Sequence, residues 1–248
     1  MIQRAAVAAV FVLTAAGCGH AIFSPPAGAG TPIDASAEWA EATTNCRDVS
    51  SYTGALRVSR LSIETAVTAS SVYMSATFSG QPIFVLAGTA DQATFWLRRE
   101  NRIVRAPARE IIDAILGVAI SPDRLLAVLS GCGTRASGIS SAARYPSLLA
   151  VQTSDARIYL RRGQRTWQTL GADADGFRME FVWKAGVTPD KIWIRSAAGR
   201  DPVVSLGVTA SDVTLNQAVP ASFFAAPAGS ATAAPMTLEE LRAGAWRK

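Results

Sequence analysis

Residues 102–131 read RIVRAPAREIIDAILGVAISPDRLLAVLSG and change the hydrophobic period of the chain. Within them, Ile111, Ile112 and Ile115 recur at helical spacing on one face, which predicts a helix over residues 109–116. Ser121 is a favourable N-cap that is followed by proline and aspartate, so a second short helix is expected from there to Gly131. Two short apolar helices need a concave apolar surface to cover.

On both sides of this segment the sequence has the period of β-strands. Residues 71–78 alternate cleanly, with Val72, Met74, Ala76 and Phe78 on one face. The other predicted strands are residues 54–63, 83–87, 93–98, 156–162, 178–183, 191–195, 203–208 and 212–215. Helices are also predicted at residues 34–45 and after a capping box at residues 237–240. The pattern indicates one mainly β domain with a few short α-helices and about nine to eleven antiparallel strands.

Composition excludes several protein classes. The chain has 248 residues, of which 49% are hydrophobic and 17% charged, with a mean hydropathy of +0.21. These values argue against a coiled coil, a collagen-like chain and wholesale disorder. The net charge is +5, but the cations are almost all arginines and form no block. Nucleic acid is therefore not an expected partner.

The first 17 residues have the pattern of a secretory signal peptide. Arg4 precedes an apolar stretch over residues 5–16, which is too short to span a bilayer. The sequence LTAAGC at residues 13–18 resembles the lipobox of bacterial lipoproteins, in which the cysteine thiol is acylated, although Ala15 stands where that motif prefers leucine. This resemblance implies lipidation at Cys18. The alternative is an ordinary signal peptide in which Cys18 is incidental.

The residues after Cys18 predict the location and the domain division. Gly19 is not the aspartate that retains lipoproteins at the inner membrane in the Gram-negative sorting rule, so that rule implies the periplasmic face of the outer membrane. Residues 18–33 are rich in Pro, Gly and Ala and are predicted to be a flexible tether. Residues 34–248 are predicted to form a single domain.

The remaining cysteines, Cys46 and Cys132, form an even pair in an oxidising compartment. A disulfide between them would close a loop of about 86 residues and contribute up to about 4 kcal/mol in the chain-entropy model. Two buried free thiols are the alternative. No metal site is expected, because two isolated cysteines without histidine lack ligand spacing.

Little catalytic chemistry is available. The only histidine, His20, lies in the predicted tether, so Ser-His-Asp and Cys-His arrangements lack their base. Neither a GxGxxG motif nor a P-loop is present, and no cofactor is expected. Asp173 and Asp175 are more typical of a hairpin turn than of a catalytic pair. We expect a protein that is not an enzyme, with a carboxylate-dependent hydrolase as the least favoured alternative.

Large apolar side chains on the predicted strands and helices are candidates for lining an acyl-chain cavity. Ordinary core packing is the competing interpretation of the same residues. The candidates are Met74, Phe78, Phe84, Phe95, Ile115, Leu126, Met179, Phe181, Trp183 and Trp193.

Several short motifs resemble the LolA/LolB-type lipoprotein-carrier superfamily, and its LolB branch in particular. They are GVAISP at residues 117–122, LSG at 129–131, YTG at 52–54 and FSGQP at 78–82. The lipobox and the helix that carries Trp39 precede them in the chain, and the resemblance covers roughly residues 38–216. One departure concerns residues 59–71, which are short and mostly polar where the LolB branch has a protruding apolar loop.

The resemblance implies an unclosed antiparallel β half-barrel, capped by helices, with an apolar cavity for acyl chains. It further implies an outer-membrane lipoprotein that takes part in lipoprotein or lipid trafficking. Its expected partners are acyl chains, a periplasmic carrier protein and the membrane that holds its lipid anchor. The alternative is an envelope scaffold lipoprotein that has the same fold, a filled cavity and protein partners.

Overall fold

The computed structural model describes residues 23–163, 166–184, 186–196 and 205–244. Four short α-helices are present in this part of the chain: α1 (Ser36–Thr43), α2 (Ala108–Leu116), α3 (Pro122–Leu129) and α4 (Leu238–Arg242). The strands are β1 (Thr31–Pro32), β2 (Ser51–Val58), β3 (Leu61–Thr68), β4 (Ser71–Phe78), β5 (Gln81–Thr89), β6 (Ala93–Leu97), β7 (Arg102–Ala106), β8 (Ser141–Arg144), β9 (Leu149–Gln152), β10 (Arg157–Arg162), β11 (Trp167–Ala174), β12 (Phe177–Val182), β13 (Lys191–Ser196), β14 (Ser205–Leu215) and β15 (Ala234–Pro235).

All fifteen described strands belong to one unclosed sheet. Its order is β1-β8-β9-β10-β11-β12-β13-β14-β2-β3-β4-β5-β6-β7-β15. Neighbouring strands are antiparallel except for β15, which runs parallel to β7. The edge strands β1 and β15 are two residues long, and each contains a proline, Pro32 or Pro235. The predicted fold class, a mainly β half-barrel with a few short helices, is confirmed.

The helices begin and end where local chemistry favours it. Gly117 ends α2 in the left-handed conformation, with φ at 71°. The Ser121 hydroxyl accepts a hydrogen bond from the Arg124 backbone N–H and caps α3. Thr237 and Glu240 form the reciprocal bonds of a capping box at α4. These positions agree with the helices predicted from the sequence.

The sheet has two differently covered faces. We call the face that packs against α1, α2 and α3 the inner face, and the opposite one the outer face. The inner face carries the large apolar core. The outer face carries a smaller buried cluster, whose members are Leu148, Ala150, Tyr159 and Leu170, with Phe23 and Tyr145 packed against it.

The predicted count of nine to eleven strands was too low. The strand predicted over residues 54–63 is divided by a turn at Ser59, with φ at 56°. Most of the polar residues 59–71 belong to the next strand, β3. Strands β8 and β9 have small residues in place of a clear alternation. In contrast, the two strands predicted at residues 203–208 and 212–215 are one strand, β14, with an irregular register between Ser211 and Thr214.

Part of the predicted tether lies on the sheet. Thr31 and Pro32 pair with β8, and the Ile33 N–H donates to the Ala142 carbonyl. Phe23 packs against Tyr159 on the outer face, with ring centroids 4.9 Å apart. Residues 18–22, including the predicted lipidation site Cys18, lie outside the described residues.

Candidate acyl-chain site

A continuous apolar layer, here called the inner layer, fills the space between the inner face and helices α1 to α3. Each large side chain that it buries contributes about 1.5–3 kcal/mol to folding. Its most deeply buried large members are Tyr52, Leu86, Phe95, Leu97, Ile111, Leu126, Leu149, Ile158, Leu160, Phe181 and Ile192. Among the described residues, the inner layer is therefore the larger of the two buried apolar clusters.

Seven of the ten predicted lining residues meet in the inner layer, and each of the seven is at most 8% exposed. They come from strands β4, β5, β6 and β12 and from helices α2 and α3, and they are Met74, Phe84, Phe95, Ile115, Leu126, Met179 and Phe181. The rings of Phe84 and Phe95 are 5.1 Å apart. These seven side chains, although distant from one another in the chain, thus lie in one layer of the fold.

Trp183 and Phe78 lie at the margins of this layer. Trp183 is half-buried against it, and its Nε1–H donates to the Thr169 carbonyl at 2.6 Å. Its ring also lies beside Gly131, where a Cβ would come within 2.5 Å of it. Phe78, at the end of β4, is 41% exposed, and its contribution to a cavity stays a prediction.

Trp193 lies on the outer face, which corrects its predicted place in the cavity. Its neighbours Ile192 and Ile194 belong to the inner layer, and successive side chains of a strand point to opposite faces. The indole ring covers Gly207 on the adjacent strand β14. Because β13 has three consecutive apolar residues, the sequence pattern alone does not show which of them face the inner layer.

Tyr52 places a polar atom in the inner layer. The side chain is fully buried, and in the described part of the chain its hydroxyl has no hydrogen-bond partner. Burial raises the pKa of Tyr52, so the phenol is neutral and retains its proton as a donor. Gly54 leaves room beside it, since a Cβ there would lie 3.3 Å from the Tyr52 oxygen. Sequence reasoning did not select Tyr52 as a site residue.

A polar network holds the N-terminal end of α3. The Arg124 guanidinium donates to the Gly133 carbonyl at 2.9 Å and pairs with the Asp155 carboxylate at 2.8 Å. The hydroxyls of Thr134 and Thr153 donate to the same carboxylate at 2.6 Å and 2.9 Å. Burial opposes the charged form of Asp155, but these hydrogen bonds and Arg124 together lower its pKa. The network ties α3 to the β9–β10 turn.

Two further connections fix the helices over the inner face. A disulfide joins Cys46, after α1, to Cys132, after α3, with Cα atoms 5.6 Å apart. At the other end, α4 packs on α2, and Arg242 pairs with Asp113 at 3.3 Å. The covering helices are thus held at their ends, through the segments that flank them.

The described residues contain no group of three or more His, Cys, Asp and Glu side chains that is arranged to hold a metal ion. Among the described helices, none combines the length and the apolar character needed to cross a bilayer.

No family model and no curated protein matches this chain. Several solved structures resemble it at low sequence identity. A LolA superfamily protein from Nitrosomonas europaea is 11% identical, with a TM-score of 0.43, and the match covers 75% of this chain and 98% of that one. Lipoprotein LppX from Mycobacterium tuberculosis is 12% identical, with a TM-score of 0.32 and coverage of 75% and 96%. An uncharacterized conserved protein from Thermus thermophilus is 9% identical, with a TM-score of 0.34 and coverage of 79% and 93%.

Proposed function

We propose that the inner layer binds acyl chains and that the protein takes part in lipoprotein or lipid trafficking. The observation that carries this proposal is the position of the layer between an unclosed sheet and helices of only eight or nine residues. An acyl chain that entered there would replace helix contacts with contacts of similar apolar area, so the exchange costs little free energy.

Transfer of an acyl chain requires only a difference in affinity between donor and acceptor sites. No covalent step is part of this proposal, and the protein acts without catalysis. The Tyr52 hydroxyl supports binding of an acyl ester or amide rather than a plain hydrocarbon. It would gain a hydrogen bond by donating to the ligand carbonyl oxygen, which offsets the cost of a buried, unpartnered donor.

The proposal includes a lipid anchor on Cys18 at the periplasmic face of the outer membrane, with a periplasmic carrier as the source of cargo. Its support is the lipobox-like sequence at residues 13–18 and the glycine that follows. Metabolic labelling with an alkyne analogue of palmitate tests the anchor. We expect label on the wild-type protein in the outer-membrane fraction and none on Cys18→Ser. Equal labelling of both would overturn the anchor.

The binding test uses the tryptophans as position markers. The purified protein is titrated with palmitate that carries bromine along its chain, which quenches nearby tryptophan fluorescence. Trp183 borders the inner layer, whereas Trp193 lies on the outer face. We expect saturable quenching that decreases in Trp183→Phe and persists in Trp193→Phe.

Two outcomes would overturn acyl-chain binding: no quenching at all, or quenching that disappears in Trp193→Phe. Lipid extraction from the purified protein gives a second measurement, and an absence of bound lipid would agree with a negative titration. That result would favour the scaffold function. The observation that supports this second candidate is the near-complete burial of the seven lining residues, which leaves them in contact with protein.

A further inference from the structure

The N-terminal segment crosses the outer face instead of leaving the domain directly. Tyr145 donates a hydrogen bond from its hydroxyl to the Gly28 carbonyl at 3.1 Å. Gly30 permits this close passage, because a Cβ there would lie 2.8 Å from the Tyr145 ring. The described chain begins at Phe23, which sits on Tyr159.

The ring of Phe23 packs directly on residues of the sheet, a contact site that we call its seat. Besides Tyr159, its ring lies over Gly171 of β11, where a Cβ would come within 2.7 Å of it. The Arg178 guanidinium lies 6.0 Å from the ring centroid. Leu170, which belongs to the same outer cluster, is buried. The segment therefore emerges above strands β10 to β12.

This position limits how far the outer face can lie from a membrane anchor. Phe23 follows Cys18 by five residues, and five residues span at most about 18 Å in any conformation. With acyl chains on Cys18 inserted in a bilayer, Phe23 and its seat remain within that distance of the membrane surface. The link between the anchor and the Phe23 side chain is therefore short.

The outer face around Phe23 has an excess of positive charge. Strand alternation directs five cations and two carboxylates outward from β10 to β13, because their neighbours in sequence lie in the inner layer. The cations are Arg157, Arg161, Arg178, Lys191 and Arg195, and the carboxylates are Asp173 and Glu180. Asp173 pairs with Arg178 at 2.8 Å, and the fully buried Glu180 pairs with Arg195 at 3.5 Å. The excess of positive charge therefore comes from Arg157, Arg161 and Lys191.

Trp193 adds an interfacial aromatic ring to this surface. It is half-buried across Gly207, with the Lys191 ammonium 4.4 Å and the Arg195 guanidinium 5.0 Å from its ring centroid. Tryptophan flanked by cations is typical of surfaces that lie at the level of lipid headgroups.

We propose that the outer face of β10 to β13, with Phe23 seated on it, rests on an anionic phospholipid surface. The charge excess and the short distance between Phe23 and Cys18 both favour this occupant. In this orientation, helices α2 and α3 face away from the membrane. The inference rests on the proposed lipid anchor at Cys18 but not on the proposed cargo, since it concerns the face of the sheet opposite to the inner layer.

The test measures which tryptophan meets the headgroups. The acylated full-length mature protein is reconstituted in phosphatidylglycerol vesicles that contain a lipid with a nitroxide on its headgroup. We expect the nitroxide to quench Trp193, so that Trp193→Phe loses the quenchable share of the fluorescence. Trp96→Phe is the matched control, because Trp96 is also stacked with an arginine, Arg98, but lies on the distant strand β6.

Charge variants supply the second arm. Each cation near an anionic surface raises surface binding about fivefold, so the double variant Arg161→Glu, Lys191→Glu is expected to reduce the Trp193 contact by about 25-fold or more. The control variant Arg60→Glu, Arg99→Glu reverses two exposed charges in the β2–β3 and β6–β7 turns and is expected to leave the contact unchanged.

Three results would overturn the proposal: quenching of Trp96 in place of Trp193, equal loss in both charge variants, or the same Trp193 quenching in pure phosphatidylcholine. The brominated palmitate titration separates this failure from failure of the proposed function, because it reports on the inner layer.

Discussion

Two tyrosine hydroxyls on opposite faces of the sheet differ in their partners. Tyr159 donates to the Asp173 carboxylate at 2.7 Å, and burial together with this bond and the charge of Asp173 raises its pKa to about 12. Tyr52 lies in the inner layer, where its hydroxyl has no partner among the described residues. A hydrogen-bonded hydroxyl contributes to stability, whereas a buried hydroxyl without a partner reduces it.

The two Tyr→Phe substitutions should therefore change stability in opposite directions. We expect Tyr52→Phe to raise the free energy of unfolding by about 1 kcal/mol and Tyr159→Phe to lower it by about 1 kcal/mol. Urea denaturation of lipid-free protein measures both. A loss of stability in Tyr52→Phe equal to that in Tyr159→Phe would show that the Tyr52 hydroxyl is satisfied in the native state.

For single residues, the sequence predicts whether a side chain is buried better than it predicts the face of the sheet to which that side chain points. The pattern of residues 71–78 correctly placed Met74 in the core, because apolar and polar residues alternate there. Trp193 stands between two isoleucines, and its face depends on the pairing of β13 with β12 and β14. Likewise, nothing local to Tyr52 distinguishes a partnered from an unpartnered hydroxyl.

At the scale of elements, α3 depends on polar contacts at its beginning as well as on its apolar face. Arg124, in its first turn, joins it to Asp155 in the β9–β10 turn. Since the folded-state pKa of Asp155 lies below its ordinary value of 3.8, the carboxylate stabilises the fold above about pH 4. That stabilisation is lost as the pH falls through the folded-state pKa.

Asp155→Asn should remove this contribution and with it part of the pH dependence. We expect about 1 kcal/mol lower stability at pH 7, since the carboxylate is partly exposed, and a difference from wild type that shrinks below about pH 4. Thermal denaturation from acid to neutral pH measures it. Asp91→Asn, in an exposed turn, is the control. A deficit of constant size throughout the acid range would contradict the assigned role of the carboxylate.

The helices were predictable from local signals, but several strands were not. Caps at Ser121 and Thr237 are short-range features, and the structure has helices directly after both. Strands β8 and β9 are stabilised by their neighbours in the sheet, and their own residues show no alternation. The β2–β3 turn requires a positive φ at Ser59, and a serine in the sequence does not predict that backbone conformation.

At the scale of the whole molecule, the disulfide connects the two ends of the helical cover. It joins residues 86 positions apart and links the segments after α1 and α3. Cross-linking across so long a loop limits the unfolded chain more than a short-range bridge would. The sequence indicated this pairing from the parity of the cysteines alone.

Removal of the disulfide should be the most destabilising of these changes. We expect Cys46→Ser, Cys132→Ser to lower the free energy of unfolding by about 3–4 kcal/mol, and reduction of the wild-type protein to have the same effect. Guanidinium denaturation with and without reductant measures both. If the reductant destabilises the wild type but the double variant retains full stability, the chain-entropy explanation is wrong.

The global arrangement depends on contacts that the sequence does not specify locally. Residues 23–33 have the composition of a tether, yet Phe23 and Thr31 are held on the sheet by Tyr159 and β8. The only local sign was a phenylalanine within a Pro- and Gly-rich segment. The antiparallel fold class, in contrast, followed from short links between successive strands.

The prolines of the two edge strands have a consequence for self-assembly. An open sheet presents hydrogen-bonding groups at both ends, to which a strand of another molecule can add. Here the outermost strands are only two residues long, and Pro32 and Pro235 have no backbone N–H to offer. Copies that are crowded together therefore find little free edge from which to extend one another's sheets into cross-β fibrils.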